Sequence, residues 1–213
     1  MKDYQKTFIE LAIKTKSLSF GEFKLKSGRI SPYFFNSGSI YSGRNLGTLG
    51  RCYAAAIMDS NISFDLMFGP AYKGIGIVHA TAIALADDYH RDLPIAFNRK
   101  ERKDHGESGS IVGSPLSGDV LIVDDVITAG TAINESINLI KANGATSKGI
   151  IIALDRQEKG VHSELSAIDE IRNAHQIEVK SIINLDNLVQ YFSKEKGDMG
   201  DKIKQYRDQY GVS

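Results

Sequence analysis

The stretch VLIVDDVITAGTA, residues 120–132, decides the reading of the fold. Four apolar residues run into two adjacent aspartates, Asp124 and Asp125. Val126 and Ile127 follow, then Thr128-Ala129-Gly130-Thr131, then a helical pattern from Ala132 to Ala142 that stops at Asn143-Gly144. A short apolar run bounded by turn residues reads as a strand buried on both faces. A glycine just past the last periodic residue ends the helix. The loop between strand and helix suits an anion on ordinary physical grounds. Small residues let the backbone approach a ligand closely, and N–H groups at a helix N-terminus point outward along a favourable dipole. The Thr128 and Thr131 hydroxyls add donors, and each charge-assisted hydrogen bond contributes about 1.5–3 kcal/mol. Asp124 and Asp125 repel that same anion. They suit hydroxyls, a metal ion or a developing cation beside it. The plainer reading makes an aspartate a helix cap and Thr-Gly a turn. Two acids beside a donor-rich loop argue against it.

Outward from this stretch the chain keeps a rhythm. Strands are expected at Phe64 to Phe68, Pro94 to Phe97, Val120 to Val123, Ile150 to Leu154 and Val179 to Ile183. Helices are expected at Asp3 to about Thr15, Asn45 to Met58, Gly74 to Tyr89 and Ser163 to Ala174, with a helical tail. Near the N-terminus, Phe23 to Lys26 and Ile30 to Phe35 read as a hairpin turning at Gly28. Apolar strands alternating with helices predict an α/β fold, a mostly parallel sheet with helices on both faces. In such sheets ligands bind at the carboxyl ends of strands.

Composition narrows the partners. The 213 residues suit one α/β domain with a small appendage. Lys plus Arg equals Asp plus Glu at 26 each, so bulk charge gives no support to nucleic-acid binding. A single cysteine, Cys52, sits in an apolar helical pattern and reads as a small core residue. The first residues are amphipathic and carry acids, unlike a signal peptide. No apolar run reaches the length of about 18 residues that a membrane span needs. A cytoplasmic protein with no membrane partner is expected.

Three other strand ends carry candidates. After Phe68 comes GPAYKGIG, residues 69–76, which lacks the Lys-Ser/Thr of a P-loop and the third glycine of a dinucleotide fingerprint. Lys73 opens the following helix against its dipole, which an anion ligand explains and a solvated lysine explains equally. After Phe97 comes a long aperiodic segment, 99–115, with Arg99, Lys100, Arg102 and Lys103, then His105 and Gly106. It reads as a mobile lid loop for a polyanion, or as a solvated loop. After Leu154 comes Asp155-Arg156. An arginine there can grip a carboxylate or phosphate with two parallel bonds. Phe34 and Phe35 point to opposite faces of their strand, so at most one enters a given core face.

Taken together, these segments resemble the type I phosphoribosyltransferases, whose phosphoribosyl pyrophosphate signature is similar to Asp124-Asp125 with Thr128-Ala129-Gly130-Thr131. The hairpin with Lys26 and Phe34-Phe35, and the lid at 99–106, resemble the bacterial orotate phosphoribosyltransferase family across almost the whole chain. That resemblance implies a single domain over 1–213, with a hood from about 1–40 and a C-terminal contribution. It implies that Val126, Ile127, Thr128, Ala129, Gly130, Thr131 and Ala132 hold the 5-phosphate. Asp124 and Asp125 then face the ribose hydroxyls and the developing positive charge. Tyr72 and Lys73 form the pyrophosphate loop, where the family often has a cis peptide. Lys26 also contacts phosphoribosyl pyrophosphate. Arg99, Lys100, Lys103 and His105 form a lid reaching into the neighbouring subunit of a homodimer. Lys26, Phe34, Phe35, Thr128 and Arg156 hold orotate, with Arg156 on its carboxylate. One Mg²⁺ is implied, held mainly by substrate with Asp124 and Asp125 nearby. The catalytic groups implied are Lys73, Lys103, Asp124 and Asp125.

Two other classes compete. A non-catalytic sensor on this fold lacks the lid bases and carries a basic nucleic-acid surface. A purine phosphoribosyltransferase has a different hood and no carboxylate-gripping arginine. Lys26 and Arg156 are the discriminating residues.

Overall fold

Val120, Leu121, Ile122 and Val123 are wholly buried, as a strand covered on both faces requires. The computed structural model describes residues 1–103, 109–128, 130–193 and 198–212. The chain opens with α1 (Asp3–Lys14), then a hairpin of β1 (Leu18–Lys24) and β2 (Ile30–Phe35), then α2 (Gly43–Ser60). Next come β3 (Leu66–Gly69), α3 (Lys73–Tyr89), β4 (Ile95–Lys103), β5 (Gly109–Gly113) and β6 (Asp119–Asp124). The remainder is α4 (Thr131–Ala142), β7 (Thr146–Asp155), α5 (Ala167–His175), β8 (Glu178–Asn184), α6 (Leu185–Phe192) and α7 (Met199–Tyr210).

A six-stranded sheet runs in the order β5-β4-β3-β6-β7-β8. Every neighbouring pair is parallel except β4 with β5. Alternation along β6 sorts the two faces. Leu121 and Val123 join a core with residues of α1, α2 and α3, whereas Val120 and Ile122 join a second core with α4 and α5. Full burial of each such side chain contributes about 1.5–3 kcal/mol. Asp124 and Asp125 therefore stand at the carboxyl end of the central strand, held there by apolar residues on both sides.

The hairpin β1–β2 lies outside the main sheet and is closed by the C-terminal helices. Phe20 meets Phe192 edge-on at 4.9 Å, and Tyr33 meets Tyr206 at 6.2 Å.

The sheet departs from expectation in three places. The hairpin's first strand begins at Leu18 rather than Phe23, with an irregularity between Phe20 and Phe23 that interrupts the alternation. The lid expected as a loop over 99–115 is largely an antiparallel hairpin. Strand β4 continues to Lys103 and pairs back with Gly109 on β5. Its charged residues, Arg99 to Lys103, give no apolar alternation, so the strand is not readable from pattern. Helix α5 starts at Ala167 rather than Ser163, because Ser166 forms the capping box with Asp169. Cys52 is a core residue, and burial pushes its thiol up to about 12, which leaves it unreactive. Among the described residues no helix is long and apolar enough to cross a membrane.

Candidate active site

Asp125 is bound from three directions. Its Oδ1 accepts the Val126 N–H at 2.9 Å, while Oδ2 accepts the Ser37 hydroxyl at 2.7 Å and the Lys73 ammonium at 2.9 Å. Asp124 Oδ1 accepts the Asp125 N–H at 2.9 Å, and its backbone carbonyl accepts the hydroxyl of buried Tyr53 at 2.8 Å. The two side chains belong to residues only 8% and 6% exposed. Burial first, and the Asp125 charge second, push Asp124 up to about 7. A pair of adjacent buried carboxylates in which one resists ionisation is a site that a cation or a cluster of hydroxyls relieves.

Lys73 reaches this pair from the start of α3. Its ammonium also donates to Asn36 Oδ1 at 3.2 Å, so the end of the hairpin strand and the α3 turn converge on Asp125. The turn before Lys73 contains a cis peptide between Ala71 and Tyr72, and the Ala71 N–H donates to Asn98 Oδ1 at 2.8 Å. Its glycines are required by close approach: a Cβ on Gly74 would meet the Gly69 carbonyl carbon at 2.9 Å and the Val123 oxygen at 3.0 Å.

The loop after Asp125 hangs from its apolar residues. Ile127 is buried in the same core as Ile133 and Ile171, while Thr128, Thr131 and Ala132 stay exposed. Gly130 caps α4 at φ 70°, a left-handed geometry that costs glycine nothing. Val126 is half-buried and Ile127 buried, so their side chains are turned inward and their backbone is the part left for the loop surface.

The remaining candidates fall into two groups. Lys100 lies with its ammonium 5.4 Å from the ring centroid of Tyr72 in the same chain, joining the arm to the α3 turn. Arg99 is partly exposed on the same arm. His105, Ala129 and the Lys103 side chain lie outside the described residues. The second group is the hood. Lys26 is exposed at the hairpin turn. Phe35 is buried against Phe8, whereas Phe34 is 43% exposed and stacks on Phe23 at 5.6 Å. Arg156 lies 4.7 Å over the Tyr33 ring and donates from Nε and Nη2 to Glu158 Oε1 at 2.8 and 2.6 Å. Sequence reasoning missed Asn36, Ser37, Tyr53, Asn98 and Glu158. Asn36 and Ser37 directly follow the hairpin strand, and no residue pattern there marks them as site residues.

For a metal, Asp124 and Asp125 supply hard carboxylate oxygens of the kind Mg²⁺ prefers. Among the described residues no cluster of three His, Cys, Asp or Glu forms a closed cage. The donor set fits an ion that completes its shell with substrate oxygens and water.

A mostly parallel sheet, an acidic pair at its central strand end and a glycine-turned loop into a helix together define a phosphoribosyltransferase site. Residues 36–184 match the family model of the phosphoribosyl transferase domain. The chain is 59% identical over 215 aligned positions to an orotate phosphoribosyltransferase of Pectobacterium carotovorum, and 57% identical to one of Yersinia enterocolitica, each covered at full length on both sides. A crystal structure of an orotate phosphoribosyltransferase from Francisella tularensis superposes with a TM-score of 0.87 at 45% identity, covering 96% of this chain and 98% of that one. The chain belongs to the orotate phosphoribosyltransferase family.

Proposed function

We propose that the chain transfers the 5-phosphoribosyl group from phosphoribosyl pyrophosphate to N1 of orotate, giving orotidine 5′-monophosphate and pyrophosphate for pyrimidine nucleotide synthesis. The observation that carries the reading is the pair Asp124–Asp125 faced by Lys73 across 2.9 Å, beside a loop that opens a helix. Breaking the bond from ribose C1 to pyrophosphate builds positive charge on the sugar and negative charge on the leaving group. Catalysis is then mainly electrostatic placement. Asp124 and Asp125 take the sugar, and the loop 126–132 takes the unreactive 5-phosphate. Lys73, with Tyr72, Arg99, Lys100, Lys103 and His105, takes the pyrophosphate. Asp124 and Asp125 would lie beside a Mg²⁺ held mainly by substrate, which would supply neutralisation of the negative charge that develops on the leaving group.

The second substrate sits under the hood. Arg156 offers orotate's carboxylate a planar fork, with Lys26, the Phe34-Phe35 backbone and Thr128 completing the grip. The arm 99–113 closes over the site and shares Arg99, Lys103 and His105 with the neighbouring subunit of a homodimer, while Lys100 stands over its own chain's Tyr72. Closure excludes water that would otherwise capture the cation. The protein works in the cytoplasm. The test is loss of the orotate absorbance on adding phosphoribosyl pyrophosphate and Mg²⁺. Absence of that change, with turnover of adenine or hypoxanthine instead, contradicts the assignment.

A further inference from the structure

Arg156, Glu158 and Arg29 form a charged cluster walled by aromatic rings, where the hood meets the C-terminus. The Arg156 guanidinium lies 4.7 Å over the Tyr33 ring, and the Arg29 guanidinium lies 4.9 Å over Tyr210. Glu158 stands between them. Its Oε1 binds Nε and Nη2 of Arg156, and its Oε2 lies 4.0 Å from Nη1 of Arg29. The three side chains are only 16%, 14% and 13% exposed for Arg29, Arg156 and Glu158. The backbone around them is fixed from outside the segment. Arg29 donates to the carbonyls of Lys159 and Gly160 at 2.7 and 3.1 Å. Lys159 N–H donates to the Tyr210 carbonyl, and Val212 N–H donates to the Gln157 carbonyl, each at 2.9 Å.

Two features of this cluster suit a bound carboxylate. Among the described residues, Glu158 is the one carboxylate within ion-pair distance of either guanidinium, and it faces two positive charges. Charges this far from water are ordinarily paired. Glu158 also takes only the side edge of the Arg156 guanidinium, Nε with Nη2. Around the end edge, Nη1 with Nη2, Nη2 makes a long contact to Ser31 Oγ at 3.4 Å, and the Tyr206 hydroxyl interacts with both Arg156 and Glu158. A second carboxylate can therefore dock on the end edge without displacing the first.

We propose that Glu158, braced by Arg29, is a positioning residue: it locks the side edge of Arg156 so that the end edge is presented to the substrate carboxylate. This rests on the assignment of Arg156 to orotate's carboxylate made above. Two signs oppose each other here. Glu158's negative charge repels an incoming carboxylate, while its hydrogen bonds hold the guanidinium in place for it. Two hydrogen bonds from one guanidinium to a single carboxylate oxygen, at 2.8 and 2.6 Å, make positioning the larger effect.

Glu158→Gln keeps the side-chain size and one acceptor oxygen and removes the charge. In steady-state assays of the full chain, its KM for orotate is expected to rise about tenfold, the loss of one charge-assisted hydrogen bond, while the KM for phosphoribosyl pyrophosphate stays within about twofold. Glu158→Asp, which restores the charge on a shorter stem, recovers part of the loss. A lower KM for orotate in Glu158→Gln shows a competitor rather than a positioner and overturns the proposal. Equal rises in both KM values mark a merely structural role and overturn it as well. If Glu158→Gln melts too low to assay, Arg29→Lys carries the test with the same split expected, because it keeps the charge and loses the fork on Lys159 and Gly160. Arg156→Ala separates the two levels. If it leaves the KM for orotate unchanged, the assignment of Arg156 itself falls. If it raises that KM while Glu158→Gln does not, only the positioning role falls.

Discussion

Lys73 Nζ stands 2.9 Å from Asp125 Oδ2, so the residue that opens α3 and the residue that follows β6 are joined across the site. The lysine side chain is 48% exposed and the aspartate side chain 9%. An ion pair with one member so open to water contributes at most about 1 kcal/mol to folding. In the proposed reaction its worth is catalytic, with the ammonium assigned to the leaving pyrophosphate and the carboxylate to the sugar. Lys73→Ala is expected to shift stability by less than about 1 kcal/mol and to cut kcat about a hundredfold or more. Thermal unfolding and steady-state kinetics on the same preparation check this. A large loss of stability with near-normal kcat contradicts it.

Asp124 gives the site a pH signature. In the folded protein burial and the Asp125 charge raise its pKa from 3.8 to about 7. The folded state therefore holds a proton that the unfolded chain releases, and stability falls as pH rises between those values. The contribution is present in full below the unfolded pKa and gone above the folded one. Asp124→Asn removes this dependence while keeping an oxygen for the Asp125 N–H. Without substrate, the variant's Tm is expected to match wild type at about pH 4 and to exceed it at about pH 8. Its activity is expected to be severely reduced, a gain in stability bought with function. Equal Tm values at the higher pH argue against the raised pKa.

Much of this geometry was local and therefore readable. Asp124, Asp125 and the loop to Thr131 are consecutive, and the apolar run before them forces one position in the sheet. The turn Gly69 to Lys73 was readable for the same reason. Ser37 and Glu158 were not. Ser37 lies 88 residues from Asp125, and Arg29 lies 130 residues from the Lys159 carbonyl it grips, so only the folded chain brings them together. The arm at 99–103 escaped for another reason. Consecutive charged residues from Arg99 to Lys103 leave no apolar alternation to find.

Ser37 yields a third prediction. Its hydroxyl donates to buried Asp125 at 2.7 Å, and hydrogen bonds to charged groups contribute about 1.5–3 kcal/mol. Ser37→Ala is expected to lower stability within that range and to lower kcat/KM for phosphoribosyl pyrophosphate. Denaturant titration and kinetics measure the two effects. No change in either would show that Val126 and Lys73 suffice to hold Asp125.

The shared lid is tested by mixing. Lys103→Ala and Asp125→Asn homodimers are each expected to be nearly inactive. If the arm crosses to the neighbour, a mixed dimer assembles one site carrying both substitutions and one site carrying neither. Activity is then expected to reappear on mixing, approaching half the wild-type value per mixed dimer. No recovery in a verified mixed dimer places the arm over its own subunit.

On the proposed function, the hood and Arg156 select a carboxylated pyrimidine for a phosphoribosyl group held at Asp124 and Asp125. Its most direct test is competition. The protein is incubated with phosphoribosyl pyrophosphate, Mg²⁺ and equal amounts of orotate, uracil, adenine and hypoxanthine, and the nucleotides formed are identified by mass spectrometry. Orotidine 5′-monophosphate is expected as the dominant product, with Arg156→Ala losing that preference. A purine nucleotide as the main product, or a preference for orotate that survives Arg156→Ala, would contradict it.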